Sequence, residues 1–445
     1  MKSRVRFLHC LLAIGALAAV PTARASSPNI LFILADDLGY GDLGCYGATD
    51  VRTPNLDQLA KEGVRLTDFY ANGPVCTPTR CALMTGRYQQ RLGGLEWAIP
   101  PAAKHLGLPS AERTIAQLLR EAGYATAMSG KWHLGYTEDR APSAHGFDRF
   151  FGLLSGNHDY FTHRENNGEA DLWLDAKPVV LEGYSTFLIR DHALKFLAEM
   201  NSKPFFLYVA FNAPHFPVQG PEDAGNPVAL KGWAQGTRET YIKMVEALDQ
   251  SIGELLAALD KHGLASQTLV VFTSDNGGDR FSRNYPLSRG KGMLGEGGIR
   301  VPCIARWPGR IPAGRVSKQV GITMDWSATI LNLAGAKPPK DRPLDGKDLL
   351  PILAGEKRGQ KRALFWRRVG PNWVATHRAV RDGNWKLIDE PKGRQQLYNL
   401  AEDIGEKNNL AEVEKSKAAR LKRLLDKWES QVDPPLYPVS LKAGN

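Results

Sequence analysis

Short runs of continuously apolar residues alternate along this chain with stretches whose apolar residues recur at helical spacing, and that alternation restricts the fold more than any other feature. Ile30 to Leu34 is apolar at every position, as a strand covered on both faces must be. A short helix is expected at 54–62, with Thr53 before it, Pro54 at its first position and Gly63 after it. Val64 to Tyr70 reads as a second strand. A helix at 114–122, capped by Thr114 and stopped by Gly123, leads into a strand from Tyr124 to Met128. Phe205 to Phe211 is another strand. A long helix over 237–260, with Val245, Leu248, Ile252, Leu255 and Leu259 on one face, then delivers the chain to the strand Thr268 to Thr273. The pattern specifies the α/β class: a large, mostly parallel sheet flanked by helices on both faces. Ligands of such sheets bind beyond the carboxyl ends of the strands, so the residues just after each strand carry the functional information.

The two ends of the chain read differently. Lys2, Arg4 and Arg6 precede the apolar run Leu11 to Val20 and the small-residue pattern Ala23-Arg24-Ala25, the arrangement of a secretory signal peptide over 1–25. That run is too short to span a membrane. Without Lys2, Arg4, Arg6 and Arg24 the formal charge of +10 falls to +6. No basic block remains to support nucleic-acid binding, whereas a polyanionic substrate stays compatible. The expected result is an exported protein, periplasmic or secreted, with no stable membrane insertion. Cys10 leaves with the signal, and Cys45, Cys76, Cys81 and Cys303 are too few for a disulfide scaffold. After a catalytic domain expected over 26–350, which ends in a Pro- and Gly-rich stretch, 351–445 reads as a small α+β subdomain. Its strands are Ala363 to Arg367, Ala379 to Ile388 and Gln396 to Leu400. A final helix near 411–430 carries Val413, Leu421, Leu425 and Trp428 on one face.

The strand ends hold an unusual set of side chains. The first strand runs into Asp36-Asp37, and Thr268 to Thr273 runs into Ser274-Asp275-Asn276-Gly277. Either pair alone is ordinary turn chemistry. Together they bring three carboxylates and an amide to one edge of one sheet, where the carboxylates repel unless a cation lies among them, and all-oxygen donors call for a hard one, Ca²⁺ or Mg²⁺. The same edge would receive Lys131-Trp132-His133 after the strand at 124 and Asn212-Ala213-Pro214-His215 after the strand at 205. Cys76 opens the helical stretch Cys76-Thr77-Pro78-Thr79-Arg80, where backbone N–H groups favour an anion, and Arg80 falls on its face four residues on.

The segment Cys76-Thr77-Pro78-Thr79-Arg80, followed by Thr85-Gly86-Arg87-Tyr88, resembles the sulfatase signature, whose core is Cys-x-Pro-x-Arg. Supporting blocks are Asp36-Asp37, Gly130-Lys131-Trp132-His133, Ala213-Pro214-His215, Ser274-Asp275-Asn276-Gly277 and Gly290-Lys291-Gly292. In the tail, Arg381-Asp382-Gly383-Asn384-Trp385-Lys386 and Leu397-Tyr398-Asn399-Leu400 match as well. The resemblance spans nearly all of the chain after the signal and implies an alkaline-phosphatase-like fold of the formylglycine-dependent, arylsulfatase and N-acetylgalactosamine-6-sulfatase-like kind.

The resemblance also implies a chemistry. Cys76 would be converted to Cα-formylglycine by a formylglycine-generating maturation enzyme. The hydrated aldehyde attacks sulfur with one hydroxyl and expels sulfate through the other. Asp36, Asp37, Asp275 and Asn276, with residue 76, would hold one divalent cation per chain, Ca²⁺ in preference to Mg²⁺. Arg80 would orient the formylglycine, and Lys131 and Lys291 would clamp sulfate oxygens. His215 is the candidate acid for the leaving alcohol, with Lys291 able to share that task, and His133 the candidate base. The expected substrate is a sulfated carbohydrate or aryl sulfate. A phosphate or phosphonate ester hydrolase of the same superfamily and a non-catalytic sulfoglycan-binding protein remain the alternatives.

Outside these blocks, Ser155, His158, Asp159 and His163 stand open between substrate contacts and an ordinary loop. Trp97 stands between a sugar-stacking ring and core packing, Cys81 reads as core, and Cys45 and Cys303 receive no role. The loops at 88–105, 152–175 and 279–290 are the expected substrate walls.

Overall fold

The computed structural model describes residues 27–434, apart from 94, 201–202, 225–234 and 370–375. The expected signal segment lies outside these residues. A ten-stranded sheet runs in the order Arg315–Ser317, Val64–Leu66, Cys303–Arg306, Thr268–Ser274, Asn29–Ala35, Phe205–Ala210, Ala125–Lys131, Arg149–Leu153, Trp173–Leu174 and Lys177–Pro178. The five strands from Thr268–Ser274 to Arg149–Leu153 are mutually parallel. Cys303–Arg306 is antiparallel to its two neighbours.

Alternation along each central strand divides the core into two. Ile30, Phe32 and Leu34 point to one face with Phe206, Tyr208, Leu269 and Val271, where they meet Ile115 and Leu119 of the helix Ile115–Glu121 and Ile330 of Met324–Ala334. Leu31, Ile33 and Ala35 point to the other face with Leu207, Val209, Val270 and Phe272. The long helix Arg238–Lys261 covers that second face with the expected stripe, Val245, Leu248, Ile252, Leu255 and Leu259, all buried. Its start is fixed by Thr237, whose side chain accepts from the Thr240 N–H. Thr114 and Gln117 form a full capping box on Ile115–Glu121.

The second expected strand is corrected. Val64–Leu66 joins the large sheet, whereas Phe69–Tyr70 leaves it to pair with Gly321–Ile322 in a separate two-stranded sheet. A change of sheet inside one apolar run has no signature in its periodicity.

At the C-terminus, Ala363–Val369, Thr376–Asp382, Trp385–Asp389 and Gln395–Asn399 form an antiparallel four-stranded sheet. The helix Lys415–Glu429 packs on it through Ala418, Leu421, Leu425 and Trp428. The single run expected from Ala379 to Ile388 is a hairpin that turns at Gly383, whose φ of 61° suits glycine. Val413 precedes the helix and is exposed, so it does not belong to the packing face.

Candidate active site

Register brings the functional side chains together. Ala35 pairs with Ser274, Leu34 with Ala210, and Gly130 with Ala210, so these strands end level at one edge. The pairing continues one step past the strands, with Asp275 N–H donating to Ala35 O at 3.1 Å and Asp36 N–H to Ala213 O at 3.1 Å. The strand expected to stop at Met128 runs on to Lys131, so that side chain stands at the strand's last position. Gly130 is indispensable there: its φ is +117°, and a Cβ would fall 1.9 Å from Ala210 O.

The helix Cys76–Thr85 lies among these strand ends, buried along its whole length. Its entry is pinned by Thr79, whose Oγ1 accepts from Gly73 N–H at 3.0 Å and donates to Gly73 O at 3.2 Å. Cys76 is the first helical residue, and its Sγ lies 3.4 Å from Asp36 Oδ1. Arg80, on the same face, donates from Nε and Nη2 to Asp275 Oδ2 at 3.2 and 2.9 Å and from Nη1 to Lys131 O at 2.9 Å. Its Nη2 is also 3.5 Å from Asp36 Oδ2, which accepts from Lys131 Nζ.

Asp37 has a φ of 63°. Its Oδ1 accepts from Asn276 Nδ2 at 2.7 Å and its Oδ2 from Lys291 Nζ at 2.6 Å. Lys291 is held by backbone on both sides, through its own N–H to Gly278 O at 3.1 Å and the Gly292 N–H to Pro74 O at 2.7 Å. Its Nζ also lies 3.0 Å from His215 Nε2, while His215 Nδ1 lies 2.6 Å from Phe216 O. That pattern places the ring proton on Nδ1 and a lone pair on Nε2. His133, with a φ of 55°, turns Nε2 to Ile99 O at 3.0 Å and leaves Nδ1 buried without a hydrogen-bond partner.

Electrostatics separate these groups. Burial acts to raise the Asp37 pKa, but Lys291 outweighs it and holds the carboxyl at about 2. Burial and then Asp36 push Asp275 up to about 6. Burial and Lys291 bring His215 down to about 3, and burial and Lys131 push His133 well down, so both rings are neutral. Burial, then Asp36, pushes the Cys76 thiol far up. A thiol so held is a poor nucleophile, because the thiolate is the reactive form.

Asp36, Asp37, Cys76 and His215 offer ligand atoms within 4.8 Å of one another. Asn276 adds a buried Oδ1 with no hydrogen-bond partner. Asp275 Oδ2 is taken by Arg80, and its Oδ1 receives the Asp37 N–H at 3.3 Å. The carboxylates and the amide oxygen fit a hard divalent cation, while His215 Nε2 is already engaged by Lys291 Nζ at 3.0 Å.

Nine of the ten residues singled out by the sequence are thus joined in one chain of contacts, and His133 stands beside them, its backbone O accepting from Thr77 Oγ1 at 3.1 Å. Those left open divide. His158 is spent between Asp171 O and Ser185 Oγ, at 3.0 and 2.8 Å. Asp159 accepts from the N–H groups of Phe161 and Thr162 and from Gln219 Nε2, and His163 Nε2 meets Gly183 O. Ser155 Oγ bonds Asn157 O. These four brace their loop. Cys45, Cys81 and Cys303 are free thiols.

Sequence reading missed a second buried cluster, where the short helix Glu296–Ile299 and Tyr70 of the two-stranded sheet meet the C-terminal sheet. Lys386 Nζ lies 2.8 Å from Glu296 Oε1 and 2.9 Å from Glu406 Oε1, all three side chains fully buried. Arg300 joins Glu296 at 3.1 Å, and Arg381 joins Asp68 at 2.7 Å. Glu96 and Arg367 form a further buried pair, with contacts of 2.7 and 2.6 Å. Alternation of charged and apolar residues in these strands resembles ordinary solvent exposure, so the sequence held no usable signal.

Comparison with known proteins agrees with the site. The family profile described as Sulfatase matches residues 28–336, and the profile described as N-sulphoglucosamine sulphohydrolase, C-terminal, matches 290–431. N-acetylgalactosamine-6-sulfatase of Canis lupus familiaris is 38% identical over 385 residues, covering 80% of this chain and 72% of its own. Arylsulfatase A of Homo sapiens is 36% identical over 450 residues, covering 90% and 86%. The solved structure of Ps i-CgsB in complex with k-i-k-neocarrahexaose superposes with a TM-score of 0.84 at 34% identity, covering 93% of this chain and 95% of that one. With Cys76, Pro78 and Arg80 set on a buried helix among the strand-end acids, and with similarity over most of its length, the chain belongs to the sulfatase family and is a hydrolase of sulfate esters.

Proposed function

We propose that the protein is an exported sulfatase of sulfated carbohydrates, working through a formylglycine made from Cys76 by a maturation enzyme and a single divalent cation, Ca²⁺, held by Asp36, Asp37, Asp275, Asn276 and residue 76. The observation that carries the reading is the place of Cys76: it opens a buried helix among the strand-end acids, with Sγ 3.4 Å from Asp36 Oδ1, where burial and Asp36 push the thiol up and disfavour the reactive thiolate. Formylglycine hydrate supplies a hydroxyl to attack sulfur and a second to release sulfate. The cation, when bound, supplies positive charge to the sulfate oxygens.

The chain's own residues do the rest. Arg80 is fixed by Asp275 and Lys131 O and lends residue 76 a permanent cation. Lys131 and Lys291 bring ammonium groups to the carboxylates at the sheet edge, within reach of an arriving sulfate. His133 Nδ1, a neutral unpartnered nitrogen, takes the proton from the attacking hydroxyl. His215 is neutral with its lone pair toward Lys291, so the leaving alcohol receives its proton from Lys291 through or beside His215. Among the described residues no helix is long and apolar enough to cross a membrane. The carbohydrate assignment is supported by the relatives' named substrates and ligand.

The test is the mass of the tryptic peptide Leu66 to Arg80 from protein made in its native host. One sulfur and two hydrogens fewer and one oxygen more is the expected result, and an unmodified thiol overturns the mechanism. Matured enzyme should turn over an aryl sulfate faster than the matching aryl phosphate, and the reverse order would assign it to phosphate esters. Adding Ca²⁺ at about 100 times its Kd should stabilise the protein by about 2.7 kcal/mol. That gain should vanish in Asp37→Asn, and a thermal shift equal in both proteins would remove the cation from this site.

A further inference from the structure

Trp97 lies beside the reacting centre and Arg368 beside Trp97, and the reaction uses neither. Trp97 is half-buried, and its Cη2 is 3.9 Å from where a Cβ on Gly292 would stand, directly beside Lys291. Two residues on, Ile99 O holds His133. The Arg368 guanidinium lies over the indole, 6.0 Å from the ring centroid, at the outer limit of cation–π attraction. Trp97 thus lies close to both Gly292, the residue after Lys291, and Arg368 of the C-terminal sheet.

Both residues are mounted rigidly. Glu96, beside Trp97, is locked to Arg367, beside Arg368, by the fully buried pair already described, and Arg367 also reaches Glu429 at 2.8 Å. Successive strand residues point to opposite faces, so burying Arg367 turns Arg368 the other way. Arg368 is half-buried, its Nε has no hydrogen-bond partner, and it makes no ion pair among the described residues. The cross-strand neighbour is His377, and Arg289 and Arg394 act on that histidine, while Glu390, paired to Arg394, is the acid that faces Arg368. Arg368 thus has no direct ion pair, and the one acid acting on it is already engaged by Arg394; a half-buried guanidinium so placed is costly to keep unless something anionic meets it.

We infer that Trp97 and Arg368 form a second carbohydrate subsite, in which the indole bears a sugar ring and the guanidinium binds an anionic substituent, sulfate or carboxylate, on the unit adjoining the one that is hydrolysed. This rests on the proposed carbohydrate sulfatase reading. It makes the enzyme selective for glycan chains carrying repeated negative charge over a lone sulfated monosaccharide.

Binding to full-length Cys76→Ala protein, measured by calorimetry, tests the subsite without turnover. The probes are N-acetylgalactosamine 6-sulfate, a chondroitin 6-sulfate hexasaccharide and a carrageenan hexasaccharide. At least one hexasaccharide should bind about tenfold or more tightly than the monosaccharide. Adding Arg368→Gln, which keeps side-chain length, or Trp97→Ala should remove most of that gap, and raising the salt should narrow it in the parent protein only. Preference for the chondroitin chain assigns a carboxylate to Arg368, and preference for carrageenan a sulfate. Equal affinity of hexasaccharides and monosaccharide, or a gap that survives Arg368→Gln, overturns the subsite. Loss of aryl sulfate turnover by matured wild-type enzyme would instead strike the proposed function, since the binding measurement does not depend on it.

Discussion

Replacing Cys76 with Ala should lower aryl sulfate turnover by about 10⁴-fold or more, the scale seen when a covalent nucleophile is removed. Folding should be untouched, because among the described residues Sγ has only the 3.4 Å contact with Asp36, and the helix entry is held by Thr79 and Gly73. Cys76→Ser is more discriminating. A serine hydroxyl at the same place can attack sulfur but has no second hydroxyl to expel sulfate, so the peptide Leu66 to Arg80 should accumulate one covalently bound sulfuryl group. Multiple turnover by either variant at more than a small fraction of the wild-type rate would refute a residue-76 nucleophile.

Lys386→Met should be the most damaging change to stability, at about 3–5 kcal/mol. Lys386 stands between Glu296 and Glu406 with no solvent access for any of the three, and methionine leaves two carboxylates in the interior without the cation between them. The sign of the pH effect follows from Glu296. Burial acts to raise its pKa, but Lys386 and Arg300 outweigh it and bring it from 4.5 to about 2. A carboxyl lowered by folding stabilises the native state fully above pH 4.5 and loses that contribution as the pH falls toward 2. Wild-type stability should therefore decline across that window. The deficit of Lys386→Met should narrow there, since its carboxylates gain by protonation. Urea midpoints at fixed Ca²⁺ measure both, and adding Glu296→Gln should recover part of the loss at neutral pH. A Lys386→Met midpoint equal to wild type would mean that this cation does not hold the two glutamates in place and that the Arg381–Asp68 and Arg367–Glu96 pairs and apolar contacts suffice.

The fold was legible where a local pattern had one structural meaning. Continuous apolar runs became the parallel strands, and the stripe from Val245 to Leu259 became the buried face of one helix. The pattern failed where one run served two partners, as at Val64 to Tyr70, which splits between two sheets. It failed again at Val413, whose spacing suited the last helix but whose position precedes it. The site was legible because a parallel sheet levels its strand ends, so residues after different strands become neighbours whatever their separation in the chain. The loop at Ser155 to His163 was not, because polar residues that brace a loop and polar residues that bind a ligand are the same residues.

By itself, the sequence determined the α/β class and the edge of the sheet at which chemistry occurs, since strand period, strand ends and the Cys76 to Arg80 helix turn are all short-range properties; Lys291, which follows no strand, was legible only through the resemblance to the sulfatase blocks. Only the tertiary structure decided which acid faces which cation. Lys291 reaches Asp37 across 254 residues of chain, and Arg80 takes Asp275 Oδ2 across 195. The same holds for Lys386 between two glutamates and for Arg368 beside Trp97. Such pairings depend on register and on loop paths summed over the whole chain, and no local periodicity encodes them.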